Sequence, residues 1–279
     1  MIISEDIYLF FSNYIHKHLG IYYGEDDYYR LENRLKNLSL NLNFSSVSEL
    51  FDAFKNGPTR LQHEELIKLA TNNETYFFRD QKPFEALTRD VIPSLNRTFS
   101  QKKLSVWSAA CSSGQEPYSI CMQIKEKSPD FFTSLSVDAS DISQNVLDKG
   151  LSGQYTSLEL ARGVGESLKK KYFKYIEKEK NWQIDREMKN KVNFFNFNLL
   201  DDHYPISKYD IIFCRNVLIY HPLKNRQKIL DNMVAALKPD GFLLMGSGES
   251  LIGLEIELKQ KMMGNAMYFQ KDIKFSQAA

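Results

Sequence analysis

The stretch Trp107-Ser-Ala-Ala-Cys-Ser-Ser-Gly-Gln-Glu-Pro-Tyr-Ser119 runs through small residues to Gly114 and then at once to a carboxylate, Glu116. The run before it, 104–110, reads as a buried strand, and Pro117 suits the first position of a helix. Strand, tight loop and helix in that order cradle nucleotide-like ligands at a strand's C-terminal edge. The G-x-G-x-x-G of dinucleotide sites is absent, and so is the G-K-[ST] of a phosphate-binding loop. No lysine waits for a phosphate here. The natural partner of Glu116 is a cation, such as the amino group of a methionine-like ligand. Four more polar sites follow strand-like runs: Asp141 after Ser140, Asn198, Arg215 within Cys214-Arg-Asn-Val-Leu-Ile-Tyr220, and Gly246-Ser-Gly-Glu249. An acidic residue placed like Asp141 commonly accepts hydrogen bonds from ribose hydroxyls. Upstream, Thr71-Asn-Asn-Glu-Thr-Tyr-Phe-Phe-Arg-Asp80 supplies Arg79, whose planar guanidinium suits bidentate recognition of a carboxylate.

Each of these has a bland account as well. Glu116 is a favourable charge at a helix N-terminus, Asp141 an N-cap, and Arg79 a solvated residue of an inter-domain linker. Taken singly, the bland accounts are preferred. Gathered on one sheet edge, the polar groups are better explained by a nucleoside pocket. No metal site emerges. His16 and His18 are two apart on a helix and face different ways, while His63, His203 and His221 lack neighbours at ligand spacing and read as surface or capping residues.

The elements that must position these groups fall in two blocks. Residues 1–80 show only helical periodicity. Ile7, Phe10, Phe11, Tyr14 and Ile15 make one stripe. Leu31, Leu35, Leu38 and Leu42 make a second, Val47, Leu50, Phe51 and Phe54 a third, and Leu66, Leu69 and Ala70 a fourth. Beyond residue 100, strands at 104–110, 134–140, 192–197, 209–214 and 241–246 alternate with helices at 117–127, 143–149 and 223–237, and Ala266-Met-Tyr-Phe-Gln270 is a last strand. Such alternation predicts an α/β, doubly wound parallel sheet. Residues 173–191 interrupt it as a charged, hairpin-like appendage with a turn around Lys180 and Asn181. The expected domains are therefore 1–80 and 81–279.

Composition excludes several classes. The 279 residues are 43% hydrophobic and 25% charged, with net charge +1, which gives no bias toward nucleic acid. No run approaches a membrane span, and the N-terminus has no basic region of a signal peptide. Cys111, Cys121 and Cys214 form no C-x-x-C and read as reduced, cytosolic thiols.

The motifs TNNETYFFRD, WSAACSSGQEPYSI, ASDIS, NFNLL, YDIIFCRNVLIY and GFLLMGSGESL resemble, in order and spacing, the signatures of the CheR family of chemotaxis-receptor glutamate methyltransferases, over about residues 5–271. The resemblance implies a small helical N-terminal domain, a Rossmann-like methyltransferase domain with a β-hairpin insertion, and a cytoplasmic enzyme. S-adenosylmethionine is the implied methyl donor, S-adenosylhomocysteine the product, and no metal takes part. The implied acceptors are glutamate carboxylates on the cytoplasmic domains of methyl-accepting chemotaxis receptors. It assigns Asn73, Thr75, Arg79, Glu116, Asp141, Asn198, Leu199, Arg215 and Asn216 to the donor, with Glu116 toward the amino group and Asp141 on the ribose. Arg79 and Tyr220 are the implied catalytic residues. Ala110 stands where the family usually has Gly, Gln115 where it has Glu, Ser247-Gly248 where it has His-Ser, and His221 where an aromatic follows the tyrosine. In the family, a basic helix of the N-terminal domain meets the acidic receptor, a role that Arg30 and Arg34 could fill. Some members also grip a receptor's C-terminal peptide along the insertion's edge. Here the insertion has no glycine, and its turn, 177–181, is densely charged. Charged edges disfavour strand pairing, so the expectation is a tether-independent enzyme. Two rival readings remain open: a donor-binding sensor without turnover, and a methyltransferase for small molecules or nucleic acid.

Overall fold

The computed structural model describes residues 3–98, 103–264 and 266–271. The outer ends of the two expected domains, residues 1 and 279, lie outside them. The chain divides into two compact units: Met1–Asn73 with Tyr220–Asn225, and Glu74–Ile219 with Arg226–Ala279.

The first unit is built of α1 (Glu5–Leu19), α2 (Tyr28–Asn41), α3 (Val47–Lys55) and α4 (Arg60–Ala70). Each buries the stripe read from its sequence, including Phe11 and Ile15 of α1, Leu31, Leu35 and Leu38 of α2, Leu50 and Phe54 of α3, and Leu66 and Ala70 of α4. A fully buried leucine of this kind contributes roughly 1.5–3 kcal/mol. The second stripe outruns its helix by one residue, because Leu42 is the C-cap of α2. Ser46 caps α3, and Thr59 with Gln62 forms a capping box on α4. Arg34 is not a free docking residue. It is half-buried and donates to the Tyr23 hydroxyl (2.6 Å) and to the Ala70 carbonyl, while Arg30 pairs with Asp27 (3.1 Å) and lies over the Tyr23 ring. Three histidines here are packing groups rather than surface ones: the His18 and His63 rings lie 5.2 Å apart, Tyr14 bonds His63 Nδ1 at 2.9 Å, and His221 is buried, while His16 is exposed.

The second unit contains a seven-stranded sheet and a three-stranded one. The strands are β1 (Leu104–Ala109), β2 (Leu135–Asp141), β3 (Gln154–Tyr155), β4 (Phe173–Ile176), β5 (Asn181–Ile184), β6 (Val192–Asn196), β7 (Tyr209–Cys214), β8 (Leu237–Met245), β9 (Leu258–Met263) and β10 (Ala266–Lys271). The large sheet runs β6-β2-β1-β7-β8-β10-β9. Its first five strands are parallel, and β10 is antiparallel to both β8 and β9. Alternate side chains feed two cores. Val106, Ile211 and Phe213 face one layer, and Trp107, Ile212 and Cys214 face the other, as the period of two requires. Strand order reverses between β1 and β7, so the loops leaving them diverge, and a crevice forms at such a switch point.

The insertion is larger and less peripheral than the sequence implied. Its turn is 177–180, β5 begins at Asn181, and β3 joins the hairpin to give the order β3-β5-β4. Tyr155, Phe173, Ile184 and Met188 are buried in the main core. Most of the charged residues that suggested an appendage, those at 174, 177–180 and 185–187, are exposed.

Candidate functional site

The first loop begins the site. Gly114 has φ +89°, and a Cβ there would lie 3.0 Å from Gly150 Cα and 3.1 Å from the Phe194 ring, so only glycine fits. The helix it caps is Gln115–Lys127, which starts two residues earlier than predicted. Pro117 is thus its third residue, still within the turn whose N–H groups have no intrahelical partner. Tyr155 fixes the loop by donating to the Ser113 carbonyl (2.8 Å). Gln115 is buried and its Oε1 accepts from Ser113 Oγ (2.9 Å), so an uncharged amide suits the position.

Three motifs distant in sequence meet at one guanidinium. Arg215, with a side chain only 2% exposed, donates from Nη1 to Glu116 Oε2 (2.8 Å) and from Nη2 to the Arg79 carbonyl and to Asp80 Oδ2 (3.3 Å). Glu116 Oε1 accepts from Ser108 Oγ (2.7 Å). Arg215 is therefore first a strut joining the loops after β1 and β7 to the segment 74–80. Its Nε is buried without a hydrogen-bond partner among the described residues.

Asp141 ends β2. Its Oδ2 accepts from the Ser112 N–H (2.9 Å) and its Oδ1 from the Ser143 N–H (3.0 Å). Burial raises its pKa, and the N–H groups of Ser143, Ser112 and Ile142 oppose that rise. The following helix, Gln144–Ser152, has Ser143 as N-cap, so Asp141 does not cap it. Ser143 Oγ is itself buried and has no hydrogen-bond partner among the described residues.

Glu249 is the residue whose role the sequence did not reveal. Its buried carboxylate accepts four backbone N–H groups, from Val217 (3.0 Å) and Leu218 (2.9 Å) on Oε1 and from Asn216 (2.8 Å) and Gly246 (2.9 Å) on Oε2. It shapes the loop that carries Arg215 and Asn216, where Asn216 takes φ +58°. The only sequence signal was its place after the strand ending near residue 246.

The other predicted residues divide between the units. In the second, Asn198 Oδ1 accepts from the Leu200 N–H (3.0 Å), and Leu199 is buried with its carbonyl bonded by Tyr204 (2.8 Å). Thr75 is half-buried, and Arg79 donates to the Glu74 carbonyl (2.6 Å). The structure thus brings Glu116 and Arg215 together through their side chains and Arg79 through its main-chain carbonyl alone. In the first unit, Tyr220 accepts at its hydroxyl from Asn72 Nδ2 (2.7 Å), and Asn73 Nδ2 donates to Thr71 Oγ1 (3.1 Å). Among the described residues, no group of three or more His, Cys, Asp or Glu side chains could hold a metal ion, and no helix is long and apolar enough to cross a membrane.

The donor set fits a cationic nucleoside ligand with a carboxylate. Glu116 retains lone pairs for an ammonium, Asp141 for hydroxyls, and Arg215 Nε is an unused donor.

The profile of the family described as "CheR methyltransferase, SAM binding domain" matches residues 73–267. The chain belongs to the CheR methyltransferase family. It is 38% identical over 248 residues to the chemotaxis protein methyltransferase Cher2 of Pseudomonas putida, covering 88% of this chain and 90% of that one. The chemotaxis protein methyltransferase 1 of Vibrio cholerae is 36% identical over 255 residues, with 90% and 92% covered. That of Borreliella burgdorferi is 33% identical over 245 residues, with 86% of each chain covered. The CheR-family chain is thus an S-adenosylmethionine-dependent methyltransferase of chemotaxis with a Rossmann-like sheet.

Proposed function

We propose that this enzyme methylates glutamate side-chain carboxylates on the cytoplasmic domains of chemotaxis receptors, leaving glutamate methyl esters and S-adenosylhomocysteine. The observation that carries the reading is the exit-edge set of Glu116, Asp141 and Arg215 in a CheR-family chain. When bound, S-adenosylmethionine supplies a methyl group on a positively charged sulfur, and that sulfur keeps the C–S electron pair. Glu116 holds the ammonium and Asp141 the ribose hydroxyls, Arg215 Nε meets the donor's carboxylate, and Asn198 and Leu199 border the base. Asn73, Thr75 and Asn216 complete the donor's contacts. An acceptor glutamate (pKa ~4.3) is ionised at neutral pH and needs no general base. The protein's task is positioning, which can lower a barrier by on the order of 7–11 kcal/mol. Arg79 orients the acceptor carboxylate, and Tyr220 hydrogen-bonds it or lays its ring near the sulfonium.

The test is incubation of labelled donor with purified receptor cytoplasmic domain. The expected result is protein-bound label released by mild base, as carboxyl esters are. Base-stable label, or transfer only to small molecules or nucleic acid, overturns the assignment. Tether independence remains part of the proposal: the outer strand β4 carries exposed Lys174 and leads into the charged turn 177–180. Removing the receptor's last residues should leave the rate nearly unchanged. A drop of about tenfold or more at micromolar receptor would show a tether, which raises local concentration toward the millimolar range.

A further inference from the structure

The segment 74–80, which carries Thr75 and Arg79, is not a self-sustaining turn. Phe78 (φ +53°) and Asp80 (φ +54°) both occupy the left-handed region that bulky side chains avoid. Such backbone persists only where its surroundings impose it. Three contacts do so from elsewhere. The Phe78 N–H donates to Ser119 Oγ (3.0 Å), and the Phe77 ring is buried edge-on against Tyr155 (4.9 Å) and Phe173 (5.5 Å) of the insertion. The third is the turn at Arg162-Gly163, between β3 and β4. Gly163 has φ +115°, and a Cβ there would lie 1.9 Å from the Phe77 carbonyl oxygen. The turn is therefore pressed against the segment's backbone. Beside it, Arg162 Nη2 pairs with Glu74 Oε1 (3.1 Å), and its guanidinium lies 4.8 Å from the Tyr76 ring centroid. The Arg79 guanidinium reaches the same ring at 5.8 Å.

We infer that Arg162 is a positioning residue for Arg79: the Arg162-Gly163 turn of the insertion clasps the segment 74–80 and sets the orientation in which Arg79 meets the acceptor. This rests on the proposed role of Arg79. Gly163 permits the close approach, and Arg162 closes the clasp through Glu74 and Tyr76. The insertion thus serves the reaction from its inner side, whatever its outer edge does. Arg162 is 53% exposed, and a surface ion pair of this kind contributes little to global stability. Its removal therefore separates positioning from folding.

The experiment uses the full chain with Arg162→Ala and Arg162→Lys. In Arg162→Ala, kcat on the receptor cytoplasmic domain should fall by about tenfold or more, as small misplacements of catalytic groups do. Affinity for S-adenosylhomocysteine, anchored mainly by Glu116 and Asp141 outside the segment and met within it by Thr75, should change far less than kcat, by no more than about threefold, and the melting temperature should hold. Amide hydrogen exchange at 75–80 should accelerate in the free protein. Arg162→Lys keeps the ion pair but loses the planar stack, and should fall between. Unchanged exchange together with wild-type kcat overturns the clasp. A parallel loss of melting temperature and inhibitor affinity makes the role merely structural and overturns it equally. The exchange measurement needs no acceptor. If the wild-type enzyme forms no base-labile ester, the functional reading fails while the clasp is still decided.

Discussion

Asp138 and Asp141 stand three residues apart on β2 and have opposite fates. The odd spacing turns them to opposite faces of the strand. Asp138 is held by side chains: Lys208 Nζ (2.6 Å), the Tyr209 hydroxyl (2.8 Å) and Asn193 Nδ2 (3.2 Å). Burial pushes its pKa up, but these partners win and it is lowered. Asp141 has only backbone amides, burial wins, and its pKa is raised. A carboxylate offers about four lone-pair sites. Asp138 spends its own on a charged lysine and two neutral donors, which closes a structural cluster. Asp141 keeps capacity, and among the described residues no side-chain cation pairs with it. Backbone amides hold the oxyanion's shape without neutralising it, which is what a group reserved for ligand hydroxyls needs.

Glu249 marks the limit of that comparison, because four backbone N–H groups saturate it. It should be structural despite lying at the same sheet edge. Glu249→Gln turns an amide NH2 against backbone N–H groups and strands about two of them, at ~1–3 kcal/mol each. The expected outcome is the largest here: a loss of roughly 3 kcal/mol, or about 6–12 °C in melting temperature for a chain of this size. A variant that melts like the wild type and loses only donor affinity would make Glu249 a ligand group instead.

Asp141→Ala also strands backbone N–H groups, those of Ser112 and Ser143, but unlike Glu249→Gln it should weaken donor binding as well. Donor affinity should weaken by ~1–3 kcal/mol, the cost of leaving buried polar partners unpaired. Calorimetry with S-adenosylhomocysteine checks it, and an unchanged Kd would remove Asp141 from the site. Asp138→Ala strands the Tyr209 hydroxyl and should cost about 1–2 kcal/mol of stability, with donor affinity held within about twofold.

How much of this contrast was legible in the sequence? The strands were, because buried parallel strands read as unbroken apolar runs such as YDIIFC. The strand β9 was not. Its LKQKMM is largely exposed and pairs only with β10, so no burial pattern marks it. The helix start at Gln115 was hidden by Pro117, which is tolerated anywhere in the first turn. The carboxylates Glu116 and Asp141 were found by their place after strands. What could not be read was which partner each would receive. Arg215 meets groups at positions 79, 80 and 116, and Asp138 meets residues at 193, 208 and 209. Those pairings are fixed by strand order, and a single sequence does not carry it.

The pH dependence should split the two aspartates. Asp141 has a raised folded pKa, so its effect on stability is favourable below its ordinary value of 3.8 and is lost as pH rises through the folded value. Ionisation is nevertheless what the proposed ribose contact of Asp141 requires. Affinity for S-adenosylhomocysteine should therefore begin to fall, on acidification, at a pH above 3.8. Asp138 has a depressed folded pKa, so its stabilisation is present above 3.8 and is lost only as pH falls through the lower, folded value. Titrating binding and melting temperature together should show binding fail first. Coincident loss of both would mean that the two aspartates are not separately tuned.

The smallest effect should come from Ala110→Gly. Ala110 sits in the loop that brings the Ser112 N–H to Asp141, and it has φ +54°, as Ser112 has φ +50°. A left-handed alanine costs about 1–2 kcal/mol. Glycine removes that strain but adds conformational freedom to the unfolded chain, which costs about 0.4–1 kcal/mol. The net should be a stabilisation of roughly 0.5 kcal/mol, near the limit of a melting measurement. Its value lies in what it does to Asp141. If the Ser112 amide bond to Asp141 depends on a loop held stiff by its side chains, a glycine loosens it and donor affinity drops with little change in melting. If the sheet edge alone fixes it, affinity stays level or rises slightly as the methyl is removed. The Ser112 N–H donates from a residue in β-sheet-anchored register, since the neighbouring Cys111 N–H is itself bonded to the Ser140 carbonyl at 2.9 Å. That anchor lies between Ala110 and Ser112, so the expected result is level affinity. A Kd weakened by more than about threefold would show instead that the carboxylate is held by the loop rather than by the sheet.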